Sequence, residues 1–208
     1  MKIIMPTSTY DKIKKSALQL FAQRGYYGTS LNDVANMVGI KKPSLYAHFK
    51  NKDELYKSII IELVDVFTKK ITLTHQNSKQ QSTKEQLLGM VISMVDFWKD
   101  EEFGLLYKRS MLFPEEQFQA LTHEQFVKSE THTTEILNRI FTEAISTEQI
   151  GEQPILPLID AFYCLIDGLF VQRFFYEPED YEAKVSHAFD HYWKGIHQGG
   201  ISCTGSSS

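Results

Sequence analysis

The stretch TSLNDVANMVGIKKPSLYAHFKNKDEL, residues 29–55, reads as two short helices and the beginning of a third. Ser30 is an N-cap residue with Asp33 three positions on, an acidic form of the capping box. Leu31, Val34, Ala35 and Val38 recur at helical spacing. Gly39 follows, where a left-handed residue ends a helix at little cost, and Ile40 and Lys41 turn the chain. Pro43 stands in the first turn of a second helix, Lys42 to Phe49, about two turns long. Asn51, with Glu54, caps the next one.

Helix, glycine-containing turn, helix is the helix-turn-helix pattern. Leu45 and Phe49, four residues apart, form the inner side of the second helix, leaving Lys42, Ser44, Tyr46, Ala47 and His48 to be presented. Lys42 and Ser44 sit at its N-terminal end, where a recognition helix meets base edges. Tyr46, His48 and Lys52 carry donors for phosphate oxygens. Ala47 is small enough for close approach, and both Pro43 and Ala47 suit contact with thymine methyls. Thr29 joins the phosphate set. Lys41 reads either as a phosphate contact or as a solvated charge.

Ile13, Ala17, Leu20, Phe21, Gly25 and Tyr26, then Thr29 to Leu31, Val34, Ala35, Gly39 and Ile40, and finally the run L-Y-x-H-F-x-N-K-x-E-L at 45–55 form one pattern. With it the chain resembles the TetR family of bacterial transcription regulators over roughly its first quarter. The resemblance implies an all-α fold: a three-helix DNA-binding head, then a helical domain that binds an effector and dimerises. One position departs from the family pattern: Lys41 stands where Ser or Thr often caps the recognition helix.

The net charge of −4 hides an asymmetry. Residues 1–50 hold eight Lys/Arg against Asp11 and Asp33, a balance of +6, so the remainder carries −10. A basic head on an acidic body suits a DNA reader attached to something else; the plainer reading is that Lys12, Lys14 and Lys15 form a solvated helix face. Of the two cysteines, Cys164 lies in an apolar helix and reads as a core residue, and Cys203 lies near the end. Their spacing matches no metal or redox motif. No signal peptide is visible, and Ile155 to Tyr176 is interrupted by Asp160, Asp167, Gln172 and Arg173, more polar groups than a membrane span tolerates. A reduced cytoplasmic setting is the expectation.

In chain order, a mobile arm is expected over Met1 to Thr9, then helices over about Tyr10–Arg24, the two of the head, Lys52–Thr74, Ser82–Lys99, Glu101–Leu112, Pro114–Ile145, Ile155–Tyr176 and from Pro178 onward, about nine in all. The division is residues 1–50 as the DNA-binding head, 51–198 as the effector and dimerisation domain, and 199–208 as a disordered, low-complexity tail. The eighth helix is apolar almost all round and needs cover on every side. With the ninth, which carries Tyr181, Val185, Ala188, Phe189, Tyr192, Trp193 and Ile196, it can build a two-fold four-helix bundle with a second copy, or merely complete a monomer core; the family resemblance favours the dimer.

A cavity for a small apolar or aromatic effector is implied by the resemblance. Candidate lining residues are Phe97, Trp98, Tyr107, Met111, Phe126, Phe162, Tyr163 and Phe170, from a wider set including Phe103, Phe118 and Phe174; taken singly, each reads better as plain core. His187 and His191, at i and i+4, have a spacing that can hold a metal but read better as a solvated face. No Gly-rich phosphate loop or nucleophile elbow is present, so no catalytic residue, metal or cofactor is assigned. The sequence therefore points to a ligand-responsive regulator, most often a repressor, binding a palindromic operator as a homodimer. Two rivals stay open: a helical small-molecule-binding protein or enzyme with a vestigial head, and a DNA binder driven by a protein partner.

Overall fold

The computed structural model describes residues 8–197; residues 1–7 of the arm expected over Met1 to Thr9, the tail expected over 199–208 and Cys203 lie outside the described residues. Among these are nine α-helices and no strand: α1 (Thr9–Arg24), α2 (Leu31–Val38), α3 (Lys42–Tyr46), α4 (Lys52–Ser78), α5 (Thr83–Lys99), α6 (Glu101–Leu112), α7 (Gln119–Ser146), α8 (Ile155–Gln172) and α9 (Pro178–His197). One 3-10 turn, Glu116–Phe118, precedes α7. The fold is all-α, as expected. Packing divides it into two compact units that do not follow a boundary at residue 50. One takes the described residues through Thr68 together with Phe97–Glu130; the other takes Lys69–Asp96 and the described residues from Thr131.

In the first unit, Ile13, Ala17, Leu20 and Phe21 form the buried stripe of α1, which packs on α2 and α6. Ser8 caps α1 through a full capping box with Asp11, so the helix begins inside the stretch assigned to the arm. The C-terminal carbonyls of α1 are taken by α6: Arg109 donates from Nε to the Ala22 carbonyl at 2.9 Å and from Nη2 to that of Gln23 at 3.4 Å. Those groups would otherwise lack partners at the helix end, where a cation also suits the dipole. Gly104 of α6 lies so close to α5 that a Cβ there would sit 2.3 Å from the Trp98 carbonyl oxygen. Phe21, Tyr26, Tyr56 and Phe118 form an aromatic cluster, with Tyr56 and Phe118 centroids 4.7 Å apart.

In the second unit, α8 and α9 run antiparallel. Tyr181 O–H donates to the Leu169 carbonyl at 3.1 Å and Tyr192 O–H to that of Leu158 at 3.0 Å. Burial pushes the Tyr181 phenol up to about 12, so it remains a donor. Leu158, Ile159, Phe162, Ile166, Leu169 and Phe170 of α8 are buried, while Leu156 and Val171 are exposed. α8 is long and apolar enough to cross a membrane by length and composition alone, but a core helix passes the same test and this one packs along α9.

Several expected boundaries shift. α3 ends at Tyr46 rather than Phe49, and Ala47 to Phe49 continue as a turn anchored by Phe49 N–H to the Leu45 carbonyl at 3.1 Å. α4 runs on to Ser78 because His75, Gln76 and Asn77 contain no helix breaker; the Ser78 hydroxyl bonds back to the Thr74 carbonyl. Pro114 does not open α7, which starts at Gln119 after the 3-10 turn. α8 stops at Gln172, and turns replace its expected last residues. Cys164 is exposed rather than in the core, because the apolar sequence of α8 covers both its packed and its outward side.

Candidate functional site

The head is built on local caps. The Ser30 hydroxyl accepts from the Asp33 N–H at 3.2 Å, and the Asp33 carboxylate accepts from the Ser30 N–H at 2.9 Å. The hydrogen bonds from Ser30 hold the Asp33 carboxyl below the usual carboxylate range. α2 ends at Gly39, whose φ of 78° and ψ of 31° are left-handed, and the Ile40 N–H closes the turn on the Ala35 carbonyl at 3.0 Å. α3 opens at Lys41 without a side-chain cap and with Pro43 in its first turn. At α4 the Asn51 side chain accepts from the Glu54 N–H at 2.8 Å, and the Glu54 carboxylate reaches back to the Lys50 N–H at 2.6 Å.

Leu45 is fully buried and Phe49 is 3% exposed. Around that anchor, Lys41, Lys42, Pro43, Ser44, Tyr46, Ala47 and His48 are all exposed. Lys42 Nζ lies 5.8 Å from the Tyr46 ring centroid. Tyr10 of α1 stacks on Phe49 at 5.1 Å and reaches the His48 ring at 6.2 Å, which ties the end of α3 to α1.

Two members of the phosphate set are engaged within the head. Thr29 is 2% exposed, and its hydroxyl donates to the Gly25 carbonyl at 2.9 Å; it holds the loop into α2 and has no exposed side chain to offer. Lys52 is first an internal tie. Its ammonium donates to the carbonyls of Tyr26 at 3.0 Å and Thr29 at 3.2 Å and lies 3.9 Å from the Tyr26 ring centroid. An ammonium has three donors, so one remains for an outside acceptor. Tyr26 donates to Asp53; burial and that carboxylate push its phenol up to about 12.

The eight candidate effector contacts divide between the units. Phe97 packs with Phe67 at 5.1 Å and Tyr107 at 5.8 Å in the first. Trp98 is buried there, Met111 is half-buried, and Phe126 is 42% exposed, so it is a surface residue rather than part of the interior. In the second unit, Phe162 is fully buried beside Tyr163 and Tyr192, the Tyr163 hydroxyl is hydrogen-bonded to Thr134 at 2.8 Å, and Phe170 meets Phe174 edge-on at 5.3 Å. A groove of about 460 Å³ opens instead between α8 and α9, lined by Cys164, Leu165, Gly168, Leu169, Gln172, Lys184, His187, Ala188 and His191. Gly168 faces open space in it: a Cβ there would meet nothing within 4 Å. No group of three or more metal-ligating side chains occurs among the described residues.

Residues 13–59 match the family profile of bacterial regulatory proteins, tetR family. The chain is similar to the "Probable HTH-type transcriptional regulator YttP" of Bacillus subtilis, 33% identical over 93 residues, which is 45% of either chain. It is also similar to the biofilm operon icaADBC HTH-type negative transcriptional regulator IcaR of Staphylococcus epidermidis, 34% identical over 105 residues, 50% of this chain and 55% of that one. The chain thus spans about half the length of these curated relatives. Among solved structures, the fold is similar to the fatty acid degradation regulator FadR of Bacillus halodurans, at 17% identity over 92% of this chain and 98% of that one, TM-score 0.71. It is likewise similar to FadR of Bacillus subtilis, solved in complex with stearoyl-CoA, at 21% identity over 90% of this chain and all of that one, TM-score 0.68. Residues 13–59 thus carry the sequence pattern of the tetR family of bacterial regulatory proteins, and the chain along its length shares the all-α fold of the solved structures above.

Proposed function

We propose that the protein is a cytoplasmic, ligand-responsive transcriptional repressor that binds a palindromic operator as a homodimer and is released by a small lipophilic effector. The observation that carries this reading is the exposed row of α3, from Lys42 to His48, standing on a fully buried Leu45. Lys42 and Ser44 are the proposed base-edge contacts, with Pro43 and Ala47 against thymine methyls. Lys41, Tyr46, His48 and the remaining donor of Lys52 are proposed for phosphates. Repression is supported by the name of IcaR as a negative regulator, and a lipophilic effector by the stearoyl-CoA in the B. subtilis FadR structure. Effector lining remains proposed within each unit by itself: Phe97, Trp98, Tyr107 and Met111 in the first, and Phe162, Tyr163 and Phe170 in the second. Helix α4, unbroken from Lys52 to Ser78, is the proposed link by which the effector changes the separation of the two heads. Such coupling typically amounts to roughly 1–3 kcal/mol.

A single α3 of five residues offers few contacts, so two half-sites are expected. The proposed dimer face is the open side of α8 and α9 at Gly168. Gly168→Arg places a long charged side chain where a second helix would approach. It is expected to lower the solution mass, measured by light scattering, from twice 24.0 kDa to 24.0 kDa and to abolish operator binding with the fold intact. A dimer retained by that variant would place the interface elsewhere. The function is tested by selecting bound duplexes from a random pool. A palindrome, with half-sites about one helical turn or a multiple apart, is the expected winner; no enrichment by the folded protein would refute the reading.

A further inference from the structure

Six residues, Gly25 to Ser30, join α1 to α2, and nearly every group in them is tied down. The Gly25 N–H donates to the Phe21 carbonyl at 2.9 Å and the Thr29 N–H to that of Tyr26 at 3.3 Å. The Thr29 hydroxyl returns to the Gly25 carbonyl. Lys52 reaches across from α4 to clamp the Tyr26 and Thr29 carbonyls, and the Tyr26 hydroxyl is held by Asp53. At Gly28 the backbone is pressed so close to α1 that a Cβ would lie 2.4 Å from the Arg24 carbonyl oxygen.

Tyr27 is the exception. It is 73% exposed, its ring stands edge-on to Tyr26 at 5.2 Å, and its hydroxyl has no hydrogen-bond partner among the described residues. Lys52 Nζ lies 6.0 Å from its centroid and Arg24 is exposed nearby. The acids of this neighbourhood, Asp33 and Asp53, are engaged with Ser30 and Tyr26. The Lys52 ammonium is the cation beside the projecting Tyr27 ring. A rigid loop that presents one aromatic hydroxyl beside a lysine is preorganised to donate to an anion, and holding such a group in place before binding lowers the entropic cost of contact. In a helix-turn-helix the first helix crosses the nucleic-acid backbone, and this loop leads directly into it.

We infer that Tyr27 is a further DNA contact, donating its hydroxyl to a backbone phosphate at the entrance to α2. The inference rests on the reading of the head as a DNA-binding module. A phosphate contact positions without reading sequence, so its loss weakens every duplex alike. Tyr27→Phe and Tyr27→Ala are compared with wild type on the selected operator and on a scrambled duplex, with thermal melting as the control for folding. Tyr27→Phe is expected to lose about tenfold in affinity on both duplexes, the scale of one hydrogen bond to a charged group, with an unchanged melting temperature; Tyr27→Ala is expected to lose at least as much. Unchanged affinity in both variants overturns the contact. Loss in Tyr27→Ala with full retention in Tyr27→Phe overturns the hydrogen bond, since the ring alone would then matter. Loss on the operator but not on the scrambled duplex overturns the assignment to phosphate. Wild-type protein that binds neither duplex refutes the DNA-binding reading itself, a different outcome from all three.

Discussion

Leu45→Ala is expected to destabilise the head by about 3 kcal/mol, within the range for truncating a fully buried leucine, and to remove operator binding. α3 is five residues long, too short to be stable on propensity alone, so its position depends on what its inner face packs against. Leu45 is 0% exposed and accepts, at its carbonyl, from the N–H groups of His48 and Phe49. Removing its side chain leaves a cavity beneath the exposed row from Lys42 to His48. The check is chemical denaturation alongside operator affinity. Ser44→Ala, on the exposed side of the same helix, is the control: it is expected to leave stability unchanged and to alter only base preference. A Leu45→Ala protein with wild-type stability and affinity would mean that α3 is held by something other than its buried face.

Gly104→Ala is expected to cost about 3 kcal/mol, the upper part of the range for overpacking. A Cβ at 2.3 Å from the Trp98 carbonyl oxygen meets backbone, which cannot swing aside like the end of a flexible side chain. α6 must therefore shift against the end of α5. The same helix carries Arg109, whose guanidinium caps the Ala22 and Gln23 carbonyls of α1, so a shift of α6 also loosens the end of α1. Denaturation measures the loss, and hydrogen exchange at residues 22–25 reads whether the α1 terminus opens. Wild-type stability with unchanged exchange would show that α5 and α6 can separate at little cost.

What the sequence made legible is what depends on near neighbours. The caps at Ser30 and Asn51 connect residues three apart and form as expected. Gly39 has the left-handed conformation its place after Val38 implied. The inner pair Leu45 and Phe49 is spaced for one helix face, and both are buried. Less was visible where partners are distant. Lys52 stands in a pattern that suggested phosphate, yet the carbonyls it holds lie 26 and 23 residues back along the chain. Arg109 bonds to α1 from 87 residues away, and no local signal marks it. Thr29 looked like a surface donor because a buried threonine and an exposed one share the same neighbours in sequence. Cys164 and Phe126 failed for the reverse reason: an apolar residue type does not tell which side of a helix is covered. The effector site was the least legible, since aromatic residues at helical spacing pack as plain core in the same way that they line a cavity.

The most direct test of the central claim is the affinity of wild type and Lys42→Ala for the selected operator and a scrambled duplex, measured by fluorescence anisotropy across a range of salt. Wild type is predicted to prefer the operator by at least about a thousandfold at physiological salt, with affinity for both duplexes falling steeply as salt rises. Lys42→Ala is predicted to lose roughly tenfold to a hundredfold on the operator, the scale of one base contact, and far less on the scrambled duplex. Equal binding of the two duplexes by folded wild-type protein, or a Lys42→Ala protein with undiminished preference for the operator, would contradict the assignment of α3 as the element that reads DNA.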